Sequence, residues 1–153
     1  MCAGGMDFPR DATWPALMFS LAETSHHLGD RGLAAVLYSM LEPIAHQVGT
    51  LTGVVCLGSY GYYAGLLAAT LGRWDDAERH FAHAEEMHER LGARPSQVRT
   101  RRAHAAMLLE RGAPGDAARA AALIATALPE AETLGMAREL LRLRALGERA
   151  AKP

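Results

Sequence analysis

A period of 43 residues constrains this chain more than any other feature. Gly29, Gly72 and Gly115 are 43 apart, as are Ala34, Ala77 and Ala120, and again Gly49, Gly92 and Gly135. Apolar positions between these anchors repeat too: Tyr38, Phe81 and Ile124; Leu41, Ala84 and Ala127; Val48, Leu91 and Leu134. A fixed period held over three copies means that each copy is one supersecondary unit. Such a unit cannot bury its apolar face alone, so it stacks on the next.

Each copy reads as two helices. The first is apolar and runs up to a glycine, as in LLAATLG at 66–72, and glycine readily adopts the left-handed conformation that closes a helix. Asp30 and Asp116 follow two of these glycines and read as N-caps of the second helix. In the middle copy Arg73 stands there instead, with Asp75 and Asp76 placing negative charge in the first turn. The second helix is amphipathic. Ala77, Phe81, Ala84, His88 and Leu91 share one face, while Glu78, Arg79, Glu85, Glu86, Glu89 and Arg90 lie off it.

The resulting map places helices near 13–28, 31–47, 52–71, 74–91, 96–111, 116–134 and 137–149. The repeats span about 13–49, 52–92 and 96–135, followed by a C-terminal helix, and residues 1–12 with Gly4, Gly5 and Pro9 form a loose segment. Pro15 suits a first turn, whereas Pro43 and Pro129 are expected to kink or shorten their helices. Half of the residues are apolar, mostly Ala and Leu, and only 6% are aromatic. That balance favours closely packed helices over a sheet. The expected fold is therefore all-α, with about seven helices and no sheet. A circular dichroism spectrum dominated by strand would end this reading.

Charge and cysteine content narrow the function. The net charge is −1, which argues against a dedicated nucleic-acid binder. Residues 1–72 carry two Arg and five acidic groups, and residues 73–153 carry fourteen basic and twelve acidic ones. The stretch Pro43–Gly72 is uncharged and long enough to span a bilayer. Its glycines, its three tyrosines, His46 and Gln47 dilute its hydrophobicity, so a buried central helix is the simpler reading. Cys2 and Cys56 form neither a disulfide framework nor a metal spacing, and the N-terminus shows no signal-peptide pattern, so a cytoplasmic protein is expected. Lys152 is the only lysine. That excludes a phosphate-cradling GxxxxGK[ST] loop and argues against lysine chemistry.

The middle copy, GYYAGLLAATLGRWDDAERHFAHAEEM, resembles a tetratricopeptide repeat. Gly65, Ala68, Gly72, Ala77, Phe81 and Ala84 fall where that family places its small, packing, turn and second-helix residues. The period is longer than the family's, which is about 34 residues, and so are the helices. LGRWDDAERHFAHAEEMHERLGA and RGAPGDAARAAALIATALPEAETLGM are similar to the C-terminal repeat regions of bacterial LuxR-type ATPase regulators and of ATPase–adenylate cyclase fusions. The resemblance covers about residues 14–147. It implies a short right-handed superhelix of stacked antiparallel hairpins. The ATPase, DNA-binding and cyclase domains of those larger proteins have no room here, and their activities are not carried over.

The same resemblance places the first helices on a concave groove. Laid on the three turn glycines, it puts Phe19, Glu23, His26 and His27 there from copy one. Copy two adds Ser59, Tyr62 and Leu66, and copy three adds Arg102, Ala105 and Leu109. Tyr62 is the expected central anchor and Arg102 the reader of a carboxylate. Bland readings compete elsewhere. His80 and His83 with Asp76 could present metal ligands on one surface, but His80 aligns with Leu37 and Leu123 and reads as packing. Tyr60 and Tyr63 read as packing around glycines. His26 and His27 can also simply meet a negative helix end. Arg94, Arg99, Arg101 and Arg102 read first as a solvated face, next as a surface for an acidic peptide or a neighbouring domain, and last as a nucleic-acid site; His104 and Ser96 lack an acidic partner for a hydrolase triad.

The expectation is a protein-interaction or intramolecular regulatory scaffold, and not an enzyme. It has no catalytic residue, metal or cofactor, and it binds neither nucleic acid nor membrane. Its partner is a protein, a peptide or a neighbouring domain. The alternative is a small-molecule effector sensor of a signalling or transcriptional regulator. Leu17, Leu21, Leu140 and Leu141 lie on outer hairpins with no further repeat to cover them, so self-association or dependence on a neighbour is expected. Light scattering that shows a strictly monomeric, highly stable chain at high concentration would count against this.

Overall fold

Helix closure follows the repeat. The backbone turns left-handed at Gly29, Gly72, Gly92 and Gly135, with φ of 66°, 75°, 62° and 66°. The computed structural model describes residues 11–51 and 55–151. Most of the segment expected to be loose, together with Cys2 and Lys152, lies outside the described residues. Among those described, the chain forms α1 (Trp14–Leu28), α2 (Arg31–Leu41), a 3-10 turn (Glu42–Ile44), β1 (Val48–Leu51), β2 (Val55–Ser59), α3 (Tyr60–Thr70), α4 (Trp74–Arg90), α5 (Arg94–Arg111), α6 (Asp116–Thr133) and α7 (Ala137–Ala150). The fold is all-α with seven helices and one small hairpin. Each helix packs on its sequence neighbour, and α1, α3, α5 and α7 also pack side by side as an inner layer.

The middle copy departs from the expected pattern. Val48–Leu51 and Val55–Ser59 pair as antiparallel strands where a helix from 52 was expected, so the expectation of no sheet is corrected. VGTLTGVVCLGS combines β-branched residues with three glycines, a composition poor for helix and suited to strand. Val48 pairs opposite Ser59 and Leu51 opposite Val55, with a bulge between Gly49 and Thr50. Gly49 therefore keeps the repeat register without ending a helix. A Cβ there would sit 2.4 Å from the Phe19 ring, so its role is close approach. Pro43 ends α2 at Leu41, earlier than the expected 47, because its ring and missing N–H block helix continuation. Pro129 is accommodated inside α6 without a break.

One aspartate cap forms and the other does not. Asp30 Oδ1 accepts from the Leu33 N–H at 3.0 Å. Gly115 occupies the N-cap of α6, and Asp116 instead accepts from Arg111 at 2.7 and 2.8 Å and from the Ala113 N–H at 2.9 Å. The Arg111 guanidinium holds that buried carboxyl down to about 2.

The core runs through α3. Every residue from Tyr60 to Ala69 is buried, which matches the expected buried central helix. Among the described residues, no helix is long and apolar enough to cross a membrane. A Cβ on Gly65 would lie 2.7 Å from the Phe81 ring, so the glycine lets α3 approach α4. At the ends of the stack, Leu17 and Leu141 are 42% and 70% exposed. Val98, one period before Leu141, is fully buried.

Candidate functional site

The four inner helices enclose one open cleft of about 800 Å³. From α1 come Glu23, Thr24, His26, His27 and Leu28; from α3, Tyr62 and Leu66; from α5, Arg99 and Arg102; from α7, Arg138, Glu139 and Arg142. Tyr62 and Leu66 are only 4% and 3% exposed and form its floor, while Leu28 is 75% exposed at the rim. A small cavity bounded by Leu57, Gly58, Ser59, Tyr63, His88 and Ser96 shares the Tyr62 and Arg99 walls.

Six of the ten expected groove residues line this cleft: Glu23, His26, His27, Tyr62, Leu66 and Arg102. The other four lie elsewhere. Phe19 is core, its ring stacked on Tyr63 at 3.8 Å and edge-on to Tyr60. Ser59 is fully buried as the N-cap of α3, accepting from the Gly61 N–H at 3.0 Å. Ala105 is fully buried, and Leu109 packs half-buried against the core. The cause on α5 is the choice of anchor. That helix ends at Gly112, whereas Gly115 caps the next helix. Counting back from Gly115 displaces the face by one turn, and counting from Gly112 brings in Arg99 beside Arg102.

Sequence reasoning missed Thr24, Leu28, Arg138, Glu139 and Arg142 as lining residues, and read Arg99 as solvated. One signal was available: Arg142 stands one period after Arg99. The basic run is not a free solvated face. Arg94 pairs with Glu130, Arg99 with Glu23, Arg101 with Glu85 at 2.6 Å, and Arg102 contacts Glu139 at 2.6 Å. These contacts tie α5 to α6, α1, α4 and α7.

Charge in the cleft is unevenly matched. Four guanidinium groups face two carboxylates. The Arg102–Glu139 contact is not aligned as a hydrogen bond, so Arg102 Nε and Glu139 Oε2 are buried without one. Arg99 spans the cleft from α5 to Glu23 on α1, its guanidinium carbon 5.5 Å from the Tyr62 ring centroid. That arrangement covers Tyr62. His26 donates from Nδ1 to Thr70 Oγ1 at 2.9 Å, since that hydroxyl proton is already given to the Leu66 carbonyl. Burial, and then the Arg102 charge, push the His26 pKa down, so the imidazole is neutral.

His80, His88 and His104 are buried in the packing. His80 is buried with Nε2 3.0 Å from the Tyr38 hydroxyl, which matches its reading as packing. His104 stacks on Phe81, and neither of its ring nitrogens has a hydrogen-bond partner. His88 joins three elements. Its Nε2 accepts from the Ser59 N–H at 3.0 Å, and Nδ1 donates to Thr100 Oγ1 at 3.1 Å. The Thr100 proton goes to the Ser96 carbonyl, which sets this tautomer. Burial pushes the His88 pKa down to about 4. Among the described residues, no group of three or more His, Cys, Asp or Glu is arranged to hold a metal ion. Comparison with protein-family models, curated proteins and solved structures finds no match for this chain.

Proposed function

We propose that this chain is an interaction scaffold, the helical-repeat part of a signalling or transcriptional regulator, and that a partner segment or neighbouring domain seats in the cleft of the inner helices. The observation that carries the reading is the cleft itself. It is open and crossed by four helices, and its apolar floor of Tyr62 and Leu66 is ringed by charge. Specific protein partners use such a floor as anchor and the rim for orientation. The volume alone also lies in the range of small-molecule sites, which supports an effector sensor as the second reading. The open, largely charged rim favours the macromolecular one.

Site-specific photocrosslinking tests this. A benzophenone side chain at Leu28 is expected to capture a partner in cells, and the same group at Arg79 on the outer face is not. Arg142→Ala is expected to weaken partner binding by about 1–3 kcal/mol without loss of helical content. Capture from Arg79 alone, with Arg142→Ala binding as well as the parent, would place the interface on the other side of the molecule. A small anionic metabolite that raises Tm in the parent but not in Arg142→Ala would favour the sensor.

A further inference from the structure

The cleft carries an internal occupant of its own arginines. Glu23 holds Arg99, and Glu139 contacts Arg102 and accepts from Arg142 at 3.3 Å, while Arg138 is exposed and belongs to none of the ion pairs among the described residues. Both internal carboxylates are replaceable, for different reasons. The Glu23 and Arg99 side chains are 41% and 38% exposed, and pairs so exposed are weak and screened by salt. Glu139 contacts Arg102 closely but without hydrogen-bond alignment. A better-aligned carboxylate gains there what the present one forgoes.

We infer that the cleft takes an acidic amphipathic helix whose carboxylates replace Glu23 on Arg99 and Glu139 on Arg102. This rests on the interaction reading above and names its partner's chemistry. The apolar face of the helix meets the exposed Leu28 and the floor formed by Leu66 and Tyr62, beside the Arg99 guanidinium that lies over the Tyr62 ring. Its flanking carboxylates reach Arg138 and Arg142 as well. Charge complementarity supplies the class: four cations against two anions in a chain that is net negative overall. Nucleic acid fits less well, because strand binding needs exposed stacking aromatics, and Tyr62, which alone of Phe, Tyr and Trp lines this cleft among the described residues, is buried in its floor. Glu23 thus acts as a competitor built into the site, one that an incoming carboxylate must displace from Arg99.

The test is fluorescence anisotropy with the full chain and a labelled synthetic peptide of about four helical turns, Glu on one face and Leu on the other. Its counterpart carries Gln for Glu, and an oligothymidine strand is the third probe. The Glu peptide is expected to bind, and the Gln peptide about tenfold more weakly. Glu23→Gln is expected to tighten the Glu peptide by about two- to fivefold, since an exposed competing pair is removed. Arg99→Gln and Arg142→Gln are expected to weaken it, with circular dichroism showing the fold intact. Unchanged or weaker binding in Glu23→Gln overturns the displacement. Equal binding of the Gln peptide overturns the acidic class but leaves the cleft as an interaction surface. Oligothymidine binding as tight as the Glu peptide overturns the peptide class. Absence of binding by both peptides overturns this inference and counts against the cleft reading with it.

Discussion

Lowering the pH from 7 to 4 is expected to remove on the order of 3 kcal/mol of stability through His88 alone. His88 is 2% exposed, and its neutral form is built into two hydrogen bonds. Protonation at Nε2 would set a donor against the Ser59 N–H and free the start of α3 from α4. The folded pKa, about 4, lies below the ordinary value of 6.5. The unfolded chain therefore binds more protons between these values, and stability falls as pH drops through that window. His26, His80 and His104 are also held neutral by burial, and each adds loss in the same direction. Asp116 belongs to a lower window, with stability present above its ordinary 3.8 and lost as pH falls towards about 2. Urea melts of the parent and of His88→Gln at pH 7 and pH 4 measure the effect. A variant that loses as much stability on acidification as the parent would remove His88 from this role.

Phe81→Ala is expected to cost about 3–5 kcal/mol. Phe81 is fully buried, stacks on His104 at 5.6 Å, faces Tyr62 at 6.4 Å and lies against Gly65. Its removal opens a cavity between α3, α4 and α5. Gly65→Ala is the converse change. Its Cβ would fall 2.7 Å from a Phe81 ring carbon, and such overpacking costs about 1–3 kcal/mol. The two positions should couple. Phe81→Leu combined with Gly65→Ala is expected to be less destabilised than the sum of the single variants, as read from denaturant midpoints. Strict additivity would mean that the α3–α4 approach does not depend on this contact.

Much of the architecture is local and so was legible in the chain. Glycines at a fixed spacing close helices through their own backbone freedom, and Ala77, Phe81 and Ala84 bury one helical face whatever packs above them. Seven helices, their order and the buried central element follow from that periodicity alone. The strand pair Val48–Leu51 and Val55–Ser59 escaped because the repeat anchors Val48 and Gly49 persist in it although the backbone there is extended. A conserved spacing records which residues contact which, and Gly49 meets that demand by yielding to Phe19 without capping a helix.

The site was legible only in part for a related reason. The repeat frame laid on the turn glycines assigns residues to a face, and of those it chose Glu23, His26, His27, Tyr62, Leu66 and Arg102 line the inner cleft. It did not reveal that Gly112, three residues before the periodic Gly115, ends α5, and one turn of error exchanged Arg99 for Leu109. Nor does any local pattern show which charges meet across helices. Glu23 and Arg99 are 76 residues apart, and Arg102 finds Glu139 on the last helix. Composition and periodicity determined that this chain must stack helices around a buried centre, because apolar faces of that spacing have no other way to leave water. Only the tertiary structure decided that the face left open is a cationic cleft closed by its own carboxylates, because electrostatic contacts depend on distances set by packing, not on positions along the chain.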